Sequence, residues 1–85
     1  MIFKEIEIKK IDGIGRLEAQ AIVRRAMRFS SEIFFDFRTK KINAKSIMGI
    51  IAMGLRRGDK MLVAIKGDDE NEALVDMERL FIREL

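Results

Sequence analysis

The spacing of apolar side chains switches repeatedly between two periods, and that switching limits the folds open to this chain. Ile2, Ile6 and Ile8 lie on one side of a period-two stretch, as do Ile33, Phe35 and Phe37, and later Met61, Val63 and Ile65. Each reads as a half-buried strand. Ala19, Ile22, Val23 and Ala26, with Phe29 just beyond, instead follow the spacing of a helix with one apolar face, and Ala73, Leu74, Met77, Leu80 and Phe81 form a second such stripe. Elements with only one apolar side must share a core, which points to one sheet against one layer of helices.

Punctuation sets the boundaries. Lys9 to Gly15 is a loop, and helical spacing covers Arg16 to Arg28. Arg38 and Thr39 turn a hairpin into a short strand, Lys40 to Ala44, whose lysines suit a protected sheet edge. Arg56, Arg57, Gly58 and Asp59 turn into the strand Lys60 to Lys66. Asp69, followed by Glu72, fits a capping box opening the last helix. The order β-α-β-β-α-β-α describes an α+β two-layer sandwich: a four-stranded antiparallel sheet with three helices on one face, and room for the last strand between the first two.

Eighty-five residues, read as one domain over 1–85, support a single core. The chain has no cysteine and no histidine, so disulfides, thiol chemistry and the usual nitrogen and sulfur metal ligands are missing, and neither a metal nor another cofactor is expected. No apolar run is long enough to span a bilayer, and Lys4 and Glu5 interrupt the N-terminus, which reads as cytoplasmic. Charge is divided along the sequence. Residues 1–66 carry 15 Lys or Arg against 7 Asp or Glu, net +8, and residues 67–85 carry 2 against 7, net −5. Without Tyr, Trp or a recognisable reading helix, the basic part is not expected to bind nucleic acid directly. The carboxylates and lysines form no catalytic constellation, so no enzymatic activity is expected.

The segment Asn43 to Leu55 is the candidate functional site. Ser46 stands where an N-cap belongs, before a two-turn helix bounded by glycine. Ile47, Met48, Ile50, Ile51, Met53 and Leu55 are too many apolar residues for one buried face of so short a helix, so some are expected at the surface beside a modifiable hydroxyl. Arg24, Arg25 and Arg28, toward the end of the first helix, form a candidate basic docking surface that also suits the helix dipole.

Lys45-Ser46-Ile47-Met48-Gly49 followed by Gly54-Leu55 resembles the regulatory-serine segment of the HPr family, phosphocarriers of the bacterial sugar phosphotransferase system. The likeness also covers Gly13-Ile14, Phe29 to Ile33 and Gly67 to Ala73, nearly the whole chain. It implies an open-faced sandwich. Where the family places its phosphoacceptor histidine this chain has Gly15, and Leu17 and Glu18 replace the arginine and proline that follow. A relay needs a nucleophile, and Gly15 offers none. The resemblance then implies the regulatory half of the family's behaviour, as in its histidine-lacking Crh-type branch. Ser46 would be phosphorylated by an HPr kinase/phosphorylase, and the product would bind a LacI-type catabolite control regulator. In that reading Lys45, with Lys40 or Lys41, pairs with the phosphate; Ile47, Met48 and Ile51 supply apolar contact; and Arg24, Arg25 and Arg28 meet partner acids. The alternative is a diverged binding module phosphorylated at neither site.

Overall fold

A computed structural model describes residues 1–85. The strands are β1 (Ile2–Glu7), β2 (Glu32–Phe37), β3 (Lys40–Asn43) and β4 (Lys60–Lys66), and the helices α1 (Arg16–Ala26), α2 (Ile47–Met53) and α3 (Glu70–Arg79). The sheet order is β1-β4-β2-β3, with every pairing antiparallel. β4 therefore fills the space between β1 and β2, as the connectivity requires. Lysine-rich β3 is an edge.

Register explains the core. Ile2 and Ile33 both stand opposite Ile65, Phe35 opposite Val63 and Ile6 opposite Met61. Because side chains alternate, these rows face the helices together. Ile6, Ile33, Phe35, Met61, Val63 and Ile65 are buried with Ala19, Ile22, Ala26, Ile50, Met53, Ala73 and Met77. The other sheet face carries Phe3, Phe34, Leu62 and Ala64, with Phe3 and Leu62 exposed. An antiparallel sheet tolerates one face turned to water.

Two helix ends differ from the sequence reading. α1 ends at Ala26, after which the chain tightens: Arg28 N–H donates to Arg25 O at 3.1 Å and Phe29 N–H to Ala26 O at 3.2 Å, using carbonyls a helix end would leave free. The last helix changes winding after Arg79 into a π-turn, Leu80–Glu84, closed by Leu85 N–H to Leu80 O at 2.9 Å. That wider turn accompanies the burial of two consecutive side chains, Leu80 and Phe81, the latter edge-on to Phe35 with ring centroids 5.8 Å apart.

The capping box at Asp69 and Glu72 does not form. Asp69 turns away from its own helix and accepts from Ser30 N–H and Ser31 N–H, each at 2.9 Å, and from the Ser31 hydroxyl. A carboxylate satisfies three donors there, more than a local cap would offer it. Glu70 takes over at the helix start, accepting from Gly67 N–H at 3.0 Å. Gly67 has φ +154°, and a methyl at its Cα would lie 2.6 Å from Ser31 Cα. Gly67→Ala should therefore cost about 1–3 kcal/mol, checked by urea unfolding.

Hydrogen bonds from Ser31 and Ser30 hold the Asp69 carboxyl down at about 2, and the Arg25 guanidinium likewise lowers Asp76. A depressed folded-state pKa contributes stability above the unfolded value, near 4, and loses it as pH falls toward about 2. The urea midpoint should drop across that window. Asp69→Asn and Asp76→Asn should each flatten the dependence.

Candidate functional site

Asn43 steers the chain out of β3. Its side-chain oxygen accepts from Lys45 N–H at 2.8 Å and its carbonyl from Ser46 N–H at 3.0 Å, a turn that sets Ser46 at the head of α2. Ser46 is the N-cap: its Oγ accepts from Gly49 N–H at 3.1 Å and its carbonyl from Ile50 N–H at 3.1 Å. Gly49 lies inside the helix. A methyl there would stand 3.1 Å from Ser46 Oγ and 3.3 Å from Ile42 Cβ, so glycine leaves room beside the hydroxyl. Gly54, at φ +63°, ends α2 in the left-handed conformation.

The excess of apolar residues divides cleanly. Ile50, Met53 and Leu55 are buried, and Ile51 packs partly against the core. Ile47 keeps 36% of its surface and Met48 74%. Ser46 is partly exposed, so hydroxyl and apolar side chains share one turn at the surface.

The cations do not assemble as the sequence suggested. Arg25 is turned inward, only 13% exposed, with Nε and Nη2 donating to the two oxygens of Asp76 at 2.9 and 2.6 Å and Nη1 donating to Glu84. Those hydrogen bonds, Asp76 first, hold its charge still more firmly than usual. Arg25 is thus a clamp from α1 to α3 and the π-turn, because α3 is the acidic element that packs beside it. Arg24 and Arg28 remain exposed, with no carboxylate within ion-pair distance.

Nor do the three lysines meet at Ser46. Lys40 Nζ donates to Ala52 O at 2.8 Å, near the opposite end of α2, and Lys41 lies 5.0 Å from the Phe34 ring on the open sheet face. Lys45 Nζ reaches Phe29 O at 2.8 Å, just beyond the end of α1. It remains Ser46's chain neighbour and ties the last turn of α1 to the first of α2.

Gly15 opens α1, and its N–H donates to Glu18 Oε1 at 2.8 Å, with Lys10 Nζ 3.9 Å from the other oxygen. The helix start therefore already holds a carboxylate of its own chain. Ile14 N–H to Leu55 O, 3.0 Å, docks this loop at the far end of α2 from Ser46. Gly13, at φ +74°, permits that approach; a methyl on it would fall 2.5 Å from Leu55 O.

The sequence reading passed over Met27, which is 63% exposed and two residues before the Phe29 carbonyl that Lys45 holds. Its signal was its absence from the Ala19, Ile22, Ala26 stripe. Leu17, 74% exposed, was noted only as a replaced arginine.

This geometry has close counterparts. The family model described as "PTS HPr component phosphorylation site" matches residues 2–83. The HPr-like protein Crh of Halalkalibacterium halodurans is 39% identical over 74 residues, 87% of this chain and 88% of that one. Phosphocarrier protein HPr of Treponema pallidum is 38% identical over 81 residues, 95% of this chain and 92% of that one. The crystal structure of HPr-C-His from Thermoanaerobacter tengcongensis superposes with a TM-score of 0.91 at 40% identity, covering 95% of this chain and 91% of that one. Matched end to end in sequence and in the packing of three helices on one side of an open sheet, the chain belongs to the HPr family and is a Crh-like, HPr-like regulatory protein.

Proposed function

We propose that this chain is a non-catalytic cytoplasmic regulator whose partner binding is gated by phosphorylation of Ser46. An HPr kinase/phosphorylase would supply the modification from ATP, and a LacI-type catabolite control regulator would read it in carbon catabolite regulation. The observation that carries the reading is a partly exposed cap hydroxyl on the same helical turn as exposed Ile47 and Met48. A phosphate there adds about −1.5 to −2 charges at a helix start, where an anion is tolerated, so the surface changes sign while the fold stays.

The division of roles follows from what each side chain is free to do. Ile47 and Met48 give apolar contact, with Ile51 at the margin. Arg24 and Arg28 are free to face partner acids, whereas Arg25 is held by Asp76 and Glu84. Lys45 is the cation adjacent to the phosphate, at the cost of its bond to Phe29 O. Histidine relay has no acceptor, and Glu18 sits where the opening of α1 would receive an anion.

Exposed Leu17 beside Glu18, both departures from the family pattern, favours a second reading: a binding module phosphorylated at neither site. One experiment separates the two. Incubation with HPr kinase and ATP should add one phosphate on Ser46 by mass spectrometry, and the product should bind the regulator while the unmodified chain does not. An unlabelled Ser46 leaves the second reading standing.

A further inference from the structure

The chain has six methionines, and burial divides them evenly. Met53, Met61 and Met77 belong to the core, whereas Met1, Met27 and Met48 are exposed. Met27 and Met48 lie at one end of the helical layer. Lys45 Nζ holds Phe29 O at 2.8 Å, bringing the residues after α1 against those opening α2; Met27 is two positions from Phe29 and Met48 two from Ser46. Met1 lies elsewhere, its amino group 3.5 Å from Glu70 at the start of α3.

We infer that Met48 and Met27 form a sulfoxidation site for hydrogen peroxide, and that its oxidation opposes docking of the Ser46-phosphorylated chain. Accessible thioethers are soft nucleophiles, and their oxidation replaces a flexible apolar side chain with a polar one. The sulfur lone pair attacks one peroxide oxygen; the S–O bond forms as the O–O bond breaks. Sulfur is oxidised by two electrons, and the peroxide's other oxygen leaves as hydroxide and takes a proton to become water. One new S=O dipole then stands on the exposed turn of α2 that carries Ile47, and a second at the end of α1 that Lys45 ties to that turn; a partner closing over them must desolvate both. The core methionines are shielded, so the fold survives. The docking half of this inference rests on the reading given under Proposed function; the selectivity half does not.

The test uses Ser46-phosphorylated full-length chain, hydrogen peroxide as the oxidant, and regulator binding by calorimetry. Peptide masses should show a gain of about 16 Da at Met48 and Met27 well before Met53, Met61 and Met77. Equal rates at all six would overturn the site. The oxidised protein should lose about tenfold in affinity, and oxidation of a Met27→Leu/Met48→Leu variant, which still modifies Met1, should not change that variant's own affinity measured before oxidation. Undiminished binding after oxidation, or equal loss in that variant, would overturn the docking half. If the unoxidised phosphoprotein fails to bind, the reading of Ser46 falls and the docking half with it, while the peptide masses still decide the site.

Discussion

Ser46→Ala should take up no phosphate from HPr kinase and ATP, and after that treatment should bind the regulator no better than untreated chain. Wild type should gain about 100-fold or more under the same treatment. The substitution removes the only hydroxyl at the head of α2 and also its cap, since Ser46 Oγ accepts from Gly49 N–H. Losing the cap costs about 1 kcal/mol, small enough for the variant to stay folded, so missing affinity cannot be blamed on unfolding. Ser46→Asp gives the control: a carboxylate can still cap, but it brings one charge and two oxygens where phosphate brings nearly two charges and three. It should recover only a small part of the gain. Titration calorimetry against the regulator, with circular dichroism on the same samples, checks all three. A wild-type gain matched by Ser46→Ala after kinase treatment would end the reading.

The second large effect is on stability. Phe35→Ala should cost about 3–5 kcal/mol, a large share of the roughly 5–10 kcal/mol a chain of this size has. Phe35 is fully buried on β2, opposite Val63 on β4 and Ile42 on β3, and its ring meets Phe81 edge-on at 5.8 Å. It therefore joins three strands to the end of the helical layer. Truncation leaves a void bounded by the sheet below and the π-turn above, neither of which can move in without breaking strand pairing or the Leu85 to Leu80 bond. Phe35→Leu fills most of the space and should lose much less. Urea unfolding measures both, and a melting-point drop above about 12 °C is expected for alanine. A loss below 1 kcal/mol would show that the core collapses onto the gap.

Most of the architecture was legible because period and punctuation are local properties. Ile33, Phe35 and Phe37 alternate whatever lies above them, and Ala19, Ile22 and Ala26 repeat as a helix must. The cap at Ser46 was legible for the same reason: its bonds reach only to Asn43, Gly49 and Ile50. Even the surface position of some of Ile47 to Leu55 followed by counting, since a short helix has one inner face. Met27 was not legible because a methionine off the Ala19, Ile22, Ala26 stripe has no period of its own to mark it.

The charges were not legible in this way. Arg24, Arg25 and Arg28 look alike in sequence, yet only Arg25 is clamped, because α3 brings Asp76 beside it and the π-turn brings Glu84. The division into a basic front and an acidic tail is partly folded away by such pairs, including Lys4 with Glu78 at 3.3 Å. Asp69 likewise prefers three donors across the fold to its own helix. By itself, then, the chain's sequence determined which segments are strands and helices, where Ser46 caps, and that no histidine chemistry is available. Tertiary structure alone decided which cations and carboxylates stay free to meet a partner. Apolar periodicity acts over a few neighbouring residues, whereas an ion pair depends on which distant side chain the fold delivers within about 4 Å.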